Sequence, residues 1–283
     1  MECLELQRGC LKPVHDSEFQ LIRRMVYRET GIFLNDHKKT MLANRLRNRL
    51  HTLGFKSYKQ YYDYITKHPA GKRELSSCID CLTTNQTYFF RHIEHMEYVI
   101  RHILPECCAR RKSGEKIRIW SIGCSSGEEP ISIVILLDKR LKKSERDRIE
   151  IVASDISRSM IDRAGRGLYA EYAFQRMSEA DRNRFFTWCS DTGLYRIRPE
   201  IQQRVRYFQH NILDPFHHGS FDVIFCRNVL IYFNKESKGK ALTNIRKHLR
   251  PDGLLIMGFA ESLIDQRSHF TYIKPTVYRR LED

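Results

Sequence analysis

From about residue 115 onward, short β-branched runs alternate with helical stretches, and this alternation restricts the chain to a doubly wound, mostly parallel sheet. Ile117 to Ile122 is the first run, followed by a Gly/Ser turn and the apolar helix Ile131 to Leu137. Ile149 to Ala153, Val205 to Phe208, Phe221 to Cys226 and Leu254 to Phe259 read as four more strands. Leu242, Ile245 and Leu249 mark a helix that breaks at Pro251-Asp252-Gly253, before the last of these. One segment departs from the alternation. Phe185 to Trp188 and Leu194 to Ile197 flank Ser190-Asp191-Thr192-Gly193, which reads as a β-hairpin where only a crossover is needed. A small antiparallel β subdomain inserted at about residues 172–203 is the natural reading.

The preceding part, residues 14–85, reads as an all-helical domain. Phe19, Ile22 and Val26 recur at helical spacing behind Ser17, a candidate cap. A second helix is predicted from Asn35, with Leu42, Leu46, Leu50 and Leu53 on one face and Gly54 as its stop. Ser57 can cap a third, Tyr-rich helix that ends before Pro69. Between Asp36 and Asp63 the charged residues are Lys38, Lys39, Arg45, Arg47, Arg49, Lys56 and Lys59, all basic. That run is either a solvated face or a surface for an acidic partner. The formal charge of +15 over 283 residues points the same way, toward nucleic acid, an anionic membrane surface or an acidic protein face.

The segment Trp120-Ser121-Ile122-Gly123-Cys124-Ser125-Ser126-Gly127-Glu128-Glu129-Pro130 is a strand, a loop of small residues and a helix start. Such a loop lets a ligand approach the backbone. A dinucleotide is disfavoured on two grounds. The spacing is Gly-x-x-x-Gly and not GxGxxG, and Glu128 and Glu129 lie where a pyrophosphate would rest. Those charges suit S-adenosylmethionine, which carries a sulfonium and an ammonium and has no phosphate. The plainer alternative is a Ser/Gly turn with acids at a helix N-terminus. Asp155 follows the second strand, twenty-eight residues beyond Gly127, about where an acid meets ribose hydroxyls in this architecture. Two such hydrogen bonds would contribute roughly 1.5–3 kcal/mol each; otherwise Asp155 caps the helix that follows.

Phe225-Cys226-Arg227-Asn228-Val229-Leu230-Ile231-Tyr232-Phe233 stands at the carboxyl end of the fourth strand, where open α/β sheets hold their ligands. It lacks the Asn/Asp-Pro-Pro-Tyr run of amino-group DNA methyltransferases, and Cys226 lacks the neighbours of a cytosine-type nucleophile. Cys226 then reads as a core thiol. Thr83-Thr84-Asn85-Gln86-Thr87-Tyr88-Phe89-Phe90-Arg91 joins the helical part to the sheet. Asn85 and Thr87 read as helix caps, and Arg91, one turn in, offers a planar fork suited to a carboxylate or to a surface ion pair.

The nine cysteines are odd in number and scattered, which fits reduced thiols better than a disulfide framework. Cys78 and Cys81 form a CxxC pair. They share a helical face with Leu75, Ile79 and Leu82, and no second pair or spaced histidines complete a metal site, so no metal is predicted. No run approaches the roughly eighteen apolar residues of a membrane span. The N-terminus, with Glu2, Glu5 and Arg8, lacks a secretory pattern. A cytoplasmic location follows.

Taken together, TTNQTYFFR (Thr83–Arg91), WSIGCSSGEEP (Trp120–Pro130), ASDIS (Ala153–Ser157), FQHNIL (Phe208–Leu213) and FCRNVLIYF (Phe225–Phe233) resemble the CheR family. Its members transfer methyl groups from S-adenosylmethionine to glutamates of chemoreceptors, leaving S-adenosylhomocysteine. The similarity extends over nearly the whole chain from about residue 14. It implies a helical receptor-docking domain at 14–85 and, at 86–283, a Rossmann-like class I methyltransferase sheet with the inserted β subdomain. It also implies roles. Asn85, Thr87, Arg91 and Glu128 contact the cofactor, Asp155 the ribose, Asn211 and Ile212 the adenine, and Asn228 and Val229 the methionine end. Tyr232 faces the reacting methyl. The loop departs slightly from the family's Ala-x-Ser/Thr-Gly-Glu-Glu. The hairpin, compact and basic at Arg196 and Arg198, bears on whether a receptor tail peptide is gripped.

A glutamate acceptor needs no general base, being ionised about 500 to 1 at pH 7; Arg91 and Tyr232 are the candidate catalytic residues. The expected partners are the acidic face of chemoreceptor cytoplasmic helices and their glutamates, with neither nucleic acid nor membrane insertion. A nucleic-acid methyltransferase and a catalytically silent cofactor-binding module of the same fold are the alternatives.

Overall fold

The computed structural model describes residues 12–112, 114–261, 263 and 270–281; the N-terminal acids and Arg8 lie outside them. The chain divides into two compact units. Of the described residues, one holds those up to Thr84 together with Tyr232–Asn234, and the other the remainder from Asn85.

The first unit packs helices α1 (Asp16–Thr30), α2 (Lys39–Thr52), α3 (Tyr58–Lys67) and α4 (Gly71–Leu82). Phe19, Ile22 and Val26 of α1 and Leu42, Leu46 and Leu50 of α2 are buried together with Tyr58, Tyr61 and Cys78. Three details differ from expectation. The residues after Asn35 form a 3-10 turn (Asp36–Lys38), and α2 itself starts only at Lys39. Helix α1 begins at Asp16, ahead of Ser17, because the Glu18 carboxylate accepts the His15 N–H (2.9 Å). Leu53 stays 38% exposed, since α2 ends one residue earlier. Ser57 caps α3 by accepting the Gln60 N–H at 3.2 Å. Two of the basic residues on α2 are internal fasteners. Arg49 pairs with the buried Glu74, which also accepts the Tyr61 hydroxyl (2.6 Å). Arg45 donates to the carbonyls of Leu82 (2.6 Å) and Thr83 (3.0 Å) and to the Thr84 hydroxyl (2.9 Å). Tyr232 belongs to this unit. Its carbonyl accepts the Phe33 N–H at 2.8 Å, and Phe233 bridges to Ile32.

The second unit opens with α5 (Ile93–Tyr98), a π-helical turn (Val99–Ile103) and α6 (Leu104–Arg110). Then follow β1 (Ile117–Ile122), α7 (Glu128–Arg140), α8 (Lys143–Arg146), β2 (Ile149–Asp155), α9 (Arg158–Arg166) and β3 (Leu168–Tyr169). After them come α10 (Glu179–Phe185), β4 (Phe186–Cys189), β5 (Leu194–Ile197), α11 (Pro199–Gln202) and β6 (Val205–Gln209). The unit ends with β7 (Phe221–Cys226), α12 (Lys235–His248), β8 (Leu249–Met257), β9 (Phe270–Lys274) and β10 (Val277–Arg280).

Seven strands form one sheet in the order β6-β2-β1-β7-β8-β10-β9. The first five are parallel, and β10 and β9 run antiparallel at the edge. The five strands read from the sequence are the parallel ones; β9 and β10, five and four residues long, carry too little periodic signal to stand out. Strand β8 starts at Leu249 and absorbs Pro251-Asp252-Gly253 with a register shift opposite Phe221 and Val223, so the predicted break lies inside a strand. The hairpin is present as β4 paired with β5, and the two-residue β3 completes a separate three-stranded antiparallel sheet. The architecture is α/β and Rossmann-like, with a helical N-terminal unit and a small antiparallel sheet.

Candidate functional site

Strand β1 is the point where the chain reverses its direction of travel across the sheet. From it the connections lead outward to β2 and β6 on one side and to β7 and β8 on the other. Crossovers diverge there, so the carboxyl ends of β1 and β7 border an open crevice.

The loop leaving β1 turns through three left-handed residues, Gly123 (φ 68°), Ser125 (φ 50°) and Gly127 (φ 95°). The N–H groups of Gly123 and Cys124 donate to the Ser154 carbonyl at 2.8 and 3.0 Å. A Cβ on Gly123 would stand 2.3 Å from Val229 Cγ2; one on Gly127 would stand 2.9 Å from the Tyr207 hydroxyl. Glycine is required at both places by conformation and by space. The same contact sets Val229 directly against the cradle.

Three carboxylates meet this loop in different ways. Asp155, at the end of β2, accepts the Ser125 N–H (2.8 Å) with one oxygen and the Ser157 N–H (2.9 Å) with the other. It is not the cap of α9; Ser157 is, through the Met160 N–H at 3.2 Å. Glu129 turns away from the crevice. It accepts the Ser121 hydroxyl (2.7 Å) and pairs with Arg227 at 2.8 Å. The expectation that both acids face a ligand is therefore corrected, because Glu129 is neutralised within the protein. Glu128 remains. It is 1% exposed, and the Ser126 hydroxyl donates to its two oxygens at 2.9 and 2.8 Å. Burial pushes its carboxyl up to about 7, against the pull of Ser126, its own backbone N–H and Arg163.

The segment carrying Asn85, Thr87 and Arg91 is not the start of a helix. Helix α5 begins at Ile93, and Phe90 (φ 59°) and His92 (φ 53°) hold Arg91 between two left-handed residues. The helix-cap reading of Asn85 and Thr87 and the place of Arg91 one turn into a helix are both corrected. The segment is anchored instead by Phe89, whose ring packs on Tyr169, Phe174 and Phe186, and by the Phe90 N–H donating to Ser132 Oγ (2.9 Å). Asn85 meets the cradle, its carbonyl accepting the Ser125 hydroxyl at 3.0 Å. The Arg91 guanidinium donates to the Gln86 carbonyl (2.9 Å), and the Arg91 carbonyl accepts from Arg227 (2.6 Å).

At the end of β6 the His210 N–H donates to the Asp155 carbonyl (2.9 Å), which draws the following Asn211 and Ile212 beside the β2 end. Asn211 Oδ1 accepts the Leu213 N–H (3.1 Å), and Ile212 is buried. After β7, Asn228 is left-handed (φ 60°) and Cys226 is fully buried, its thiol held well above the ordinary range by burial. The second unit thus brings Asn85, Glu128, Asp155 and Val229 onto one loop, with Asn211 following the residue bonded to the end of β2 and the Arg91 carbonyl tied through Arg227 to Glu129.

Sequence reasoning missed Arg227 and Glu261. A charged residue right after an apolar strand signals a buried pair, but the partner of Arg227 lies 98 residues away. Glu261 accepts backbone N–H groups from just beyond the ends of both β7 and β8, and nothing local in its sequence announces that.

The geometry suits a ligand that is cationic and free of phosphate: a glycine cradle, a buried acid whose burial is only partly offset by a hydroxyl, its own amide and the charge of Arg163, and a second acid at the next strand end. The comparisons agree. A family model described as "CheR methyltransferase, SAM binding domain" matches residues 85–279, and one described as "CheR methyltransferase, all-alpha domain" matches residues 17–83. The chain is 36% identical to chemotaxis protein methyltransferase 2 of Vibrio cholerae, over 88% of this chain and 87% of that protein. It is 35% identical to the chemotaxis protein methyltransferase of Salmonella typhimurium, over 95% of this chain and 91% of that protein. The corresponding figures for Escherichia coli are 35%, 95% and 92%. The chain belongs to the CheR methyltransferase family of S-adenosylmethionine-dependent enzymes.

Proposed function

We propose that this protein forms methyl esters on glutamate side chains of chemoreceptors. The observation that carries the reading is the buried Glu128 carboxylate at the head of α7, where an α/β enzyme for dinucleotides seats a pyrophosphate. An acid there repels phosphate and attracts a cation. When bound, S-adenosylmethionine supplies a methyl group activated by its positive sulfur.

The residues of the crevice divide the remaining work. Glu128 meets the positive charge of the cofactor, and Asp155 accepts from its ribose hydroxyls. Asn211 and Ile212 flank the adenine, Asn228 and Val229 line the methionine end, and Asn85 and Thr87 close over it with Arg91. The acceptor glutamate arrives ionised, so the protein has to strip its water and hold one oxygen in line with the methyl. Arg91 fixes that carboxylate with its planar fork, and the Tyr232 hydroxyl steers it. The product left in the site is S-adenosylhomocysteine.

The helical domain, residues 14–85, is the proposed dock for the acidic face of a receptor's cytoplasmic helices, which sets the enzyme in the cytoplasm. Among the described residues no helix is long and apolar enough to cross a membrane. Because Arg45 and Arg49 are engaged internally, the dock rests on exposed Lys38, Arg47 and Lys56. The β subdomain, with exposed Arg196 and Arg198, is a candidate grip for a receptor tail.

Incubation of the enzyme with labelled cofactor and receptor-bearing membranes should label receptor protein, and mild base should release the label as methanol. Base-stable label, or label on nucleic acid, would refute the proposal. Arg91→Ala should lower kcat by about 100-fold or more while cofactor affinity stays within about tenfold, measured by calorimetry beside turnover. Normal turnover would remove Arg91 from its role.

The raised Glu128 pKa has a signed consequence. Below pH 7 the acid is increasingly protonated in the folded protein, so cofactor affinity should rise about tenfold from pH 5.5 to 7, where an α-ammonium keeps its charge. Glu128→Gln should flatten that profile. It should also raise Tm at pH 8 but not at pH 4, because the burial penalty exists only above the unfolded carboxyl's pKa. Reversing the charge of Lys38, Arg47 and Lys56 together should cut kcat/KM for receptor about tenfold at low salt, with the gap closing at high salt. A salt-independent defect, or none, would discard this dock.

A further inference from the structure

We propose that Glu261 is a positioning residue for methyl transfer: its carboxylate pre-forms the turn after β7 that lines the methionine end of the cofactor. The inference rests on the reading of Asn228 and Val229 given above.

Glu261 is 6% exposed and follows β8 by four residues. One carboxylate oxygen accepts the N–H groups of Gly258 (2.7 Å) and Asn228 (2.9 Å). The other accepts those of Val229 (3.0 Å) and Leu230 (2.7 Å). Four amides from the ends of two adjacent parallel strands thus converge on a single side chain. A Cβ on Gly258 would lie 2.7 Å from the Glu261 oxygen and 3.1 Å from the Asn228 nitrogen, so glycine is needed for the approach.

Three consecutive amides beginning at a left-handed residue form a concavity that attracts anions. Without Glu261 this nest would compete for the carboxylate of the cofactor or of the substrate. Filled by an internal acid, it is closed to both, and recognition passes to side chains such as Arg91. The closed nest also holds Asn228 left-handed and keeps Val229 against Gly123, where there is no room for even a Cβ. A shift of this turn would therefore reach the glycine cradle directly.

The chemistry of the acceptor distinguishes positioning from bulk packing. Glutamine has one carbonyl oxygen, and its amide nitrogen, placed at either position, would face two N–H donors. Aspartate keeps both acceptor oxygens on a stem shorter by one methylene. In the full-length enzyme, Glu261→Gln should raise KM for S-adenosylmethionine by about tenfold to a hundredfold. KM for receptor should stay unchanged, and Glu261→Asp should recover part of the loss. A merely structural lesion would instead reduce the active fraction and lower kcat at constant KM. Should Glu261→Gln fail to fold, hydrogen exchange on the wild-type protein decides: the amides of residues 228–230 and 258 should be protected before any cofactor is added.

Asn228→Ala separates the two layers of the argument. If it weakens cofactor binding while Glu261→Gln binds normally, the positioning role is overturned and the site reading stands. If Asn228→Ala binds normally, the site reading fails and takes the role of Glu261 with it. Wild-type amides that exchange freely until S-adenosylhomocysteine is added would also overturn the proposal.

Discussion

The buried guanidinium of Arg227 ties the crevice of the second unit together. Its side chain is 2% exposed, and it donates to Glu129 and to the carbonyl of Arg91, while Glu129 also accepts from Ser121. One charge thereby joins the interior of β1, the start of α7, the end of β7 and the segment before α5. Burying a cation is unfavourable unless it is paired and bonded, and removing one member leaves the others stranded. These groups form a single assembly. The same cation influences its surroundings: burial first, and then Arg227, push His95 down to about 4 and lower His92. Both imidazoles are thereby biased toward the neutral form.

Neutralising Glu129 changes the electrostatics of the cradle. Two exposed acids at a helix N-terminus would be satisfied by the helix dipole and by solvent. One acid, buried under a glycine loop with Arg227 committed to Glu129 and Arg163 only partly offsetting its burial, stays poorly solvated. Tyr169 and Tyr207, whose phenols burial holds well above their ordinary range, surround it with neutral groups. An acceptor that arrives already ionised then asks of the protein only placement and the exclusion of water, which agrees with the lack of a poised histidine or thiolate among the described residues of this crevice.

Much of the fold could be read from the sequence because it follows from periodicity. The β-branched runs became the five parallel strands, and the spacing of Leu42, Leu46 and Leu50 produced the buried face of α2. What escaped was set by interactions distant in sequence. Arg45 and Arg49 look like free charges on an amphipathic helix, yet their partners are the end of α4 and Glu74. Phe89 and Arg91 look like a helix entering its first turn. The segment is irregular because an aromatic cluster from the small-sheet region captures Phe89 and Arg227 captures the Arg91 carbonyl. The cradle and Asp155 were legible because glycine spacing and strand ends are local features. Glu261 was not, because its meaning lies in four amides, three of them more than thirty residues away.

The carboxylates of the crevice can be sorted by what they hold. Asp155 and Glu261 accept backbone N–H groups and fix the loops that meet at the ends of β1, β2, β7 and β8. Glu129 accepts a guanidinium and fixes an internal charge. Glu128 accepts a hydroxyl and its own amide, and its raised pKa records how incompletely those replace water. Glu261, saturated by four amides, has little to gain from a ligand; Asp155 takes one amide on each oxygen and keeps lone pairs for further donors, and Glu128, short of partners, would regain solvation beside a cation. The carboxylate that only shapes the crevice, Glu261, and the one left with the least compensation for its burial, Glu128, are therefore separate residues.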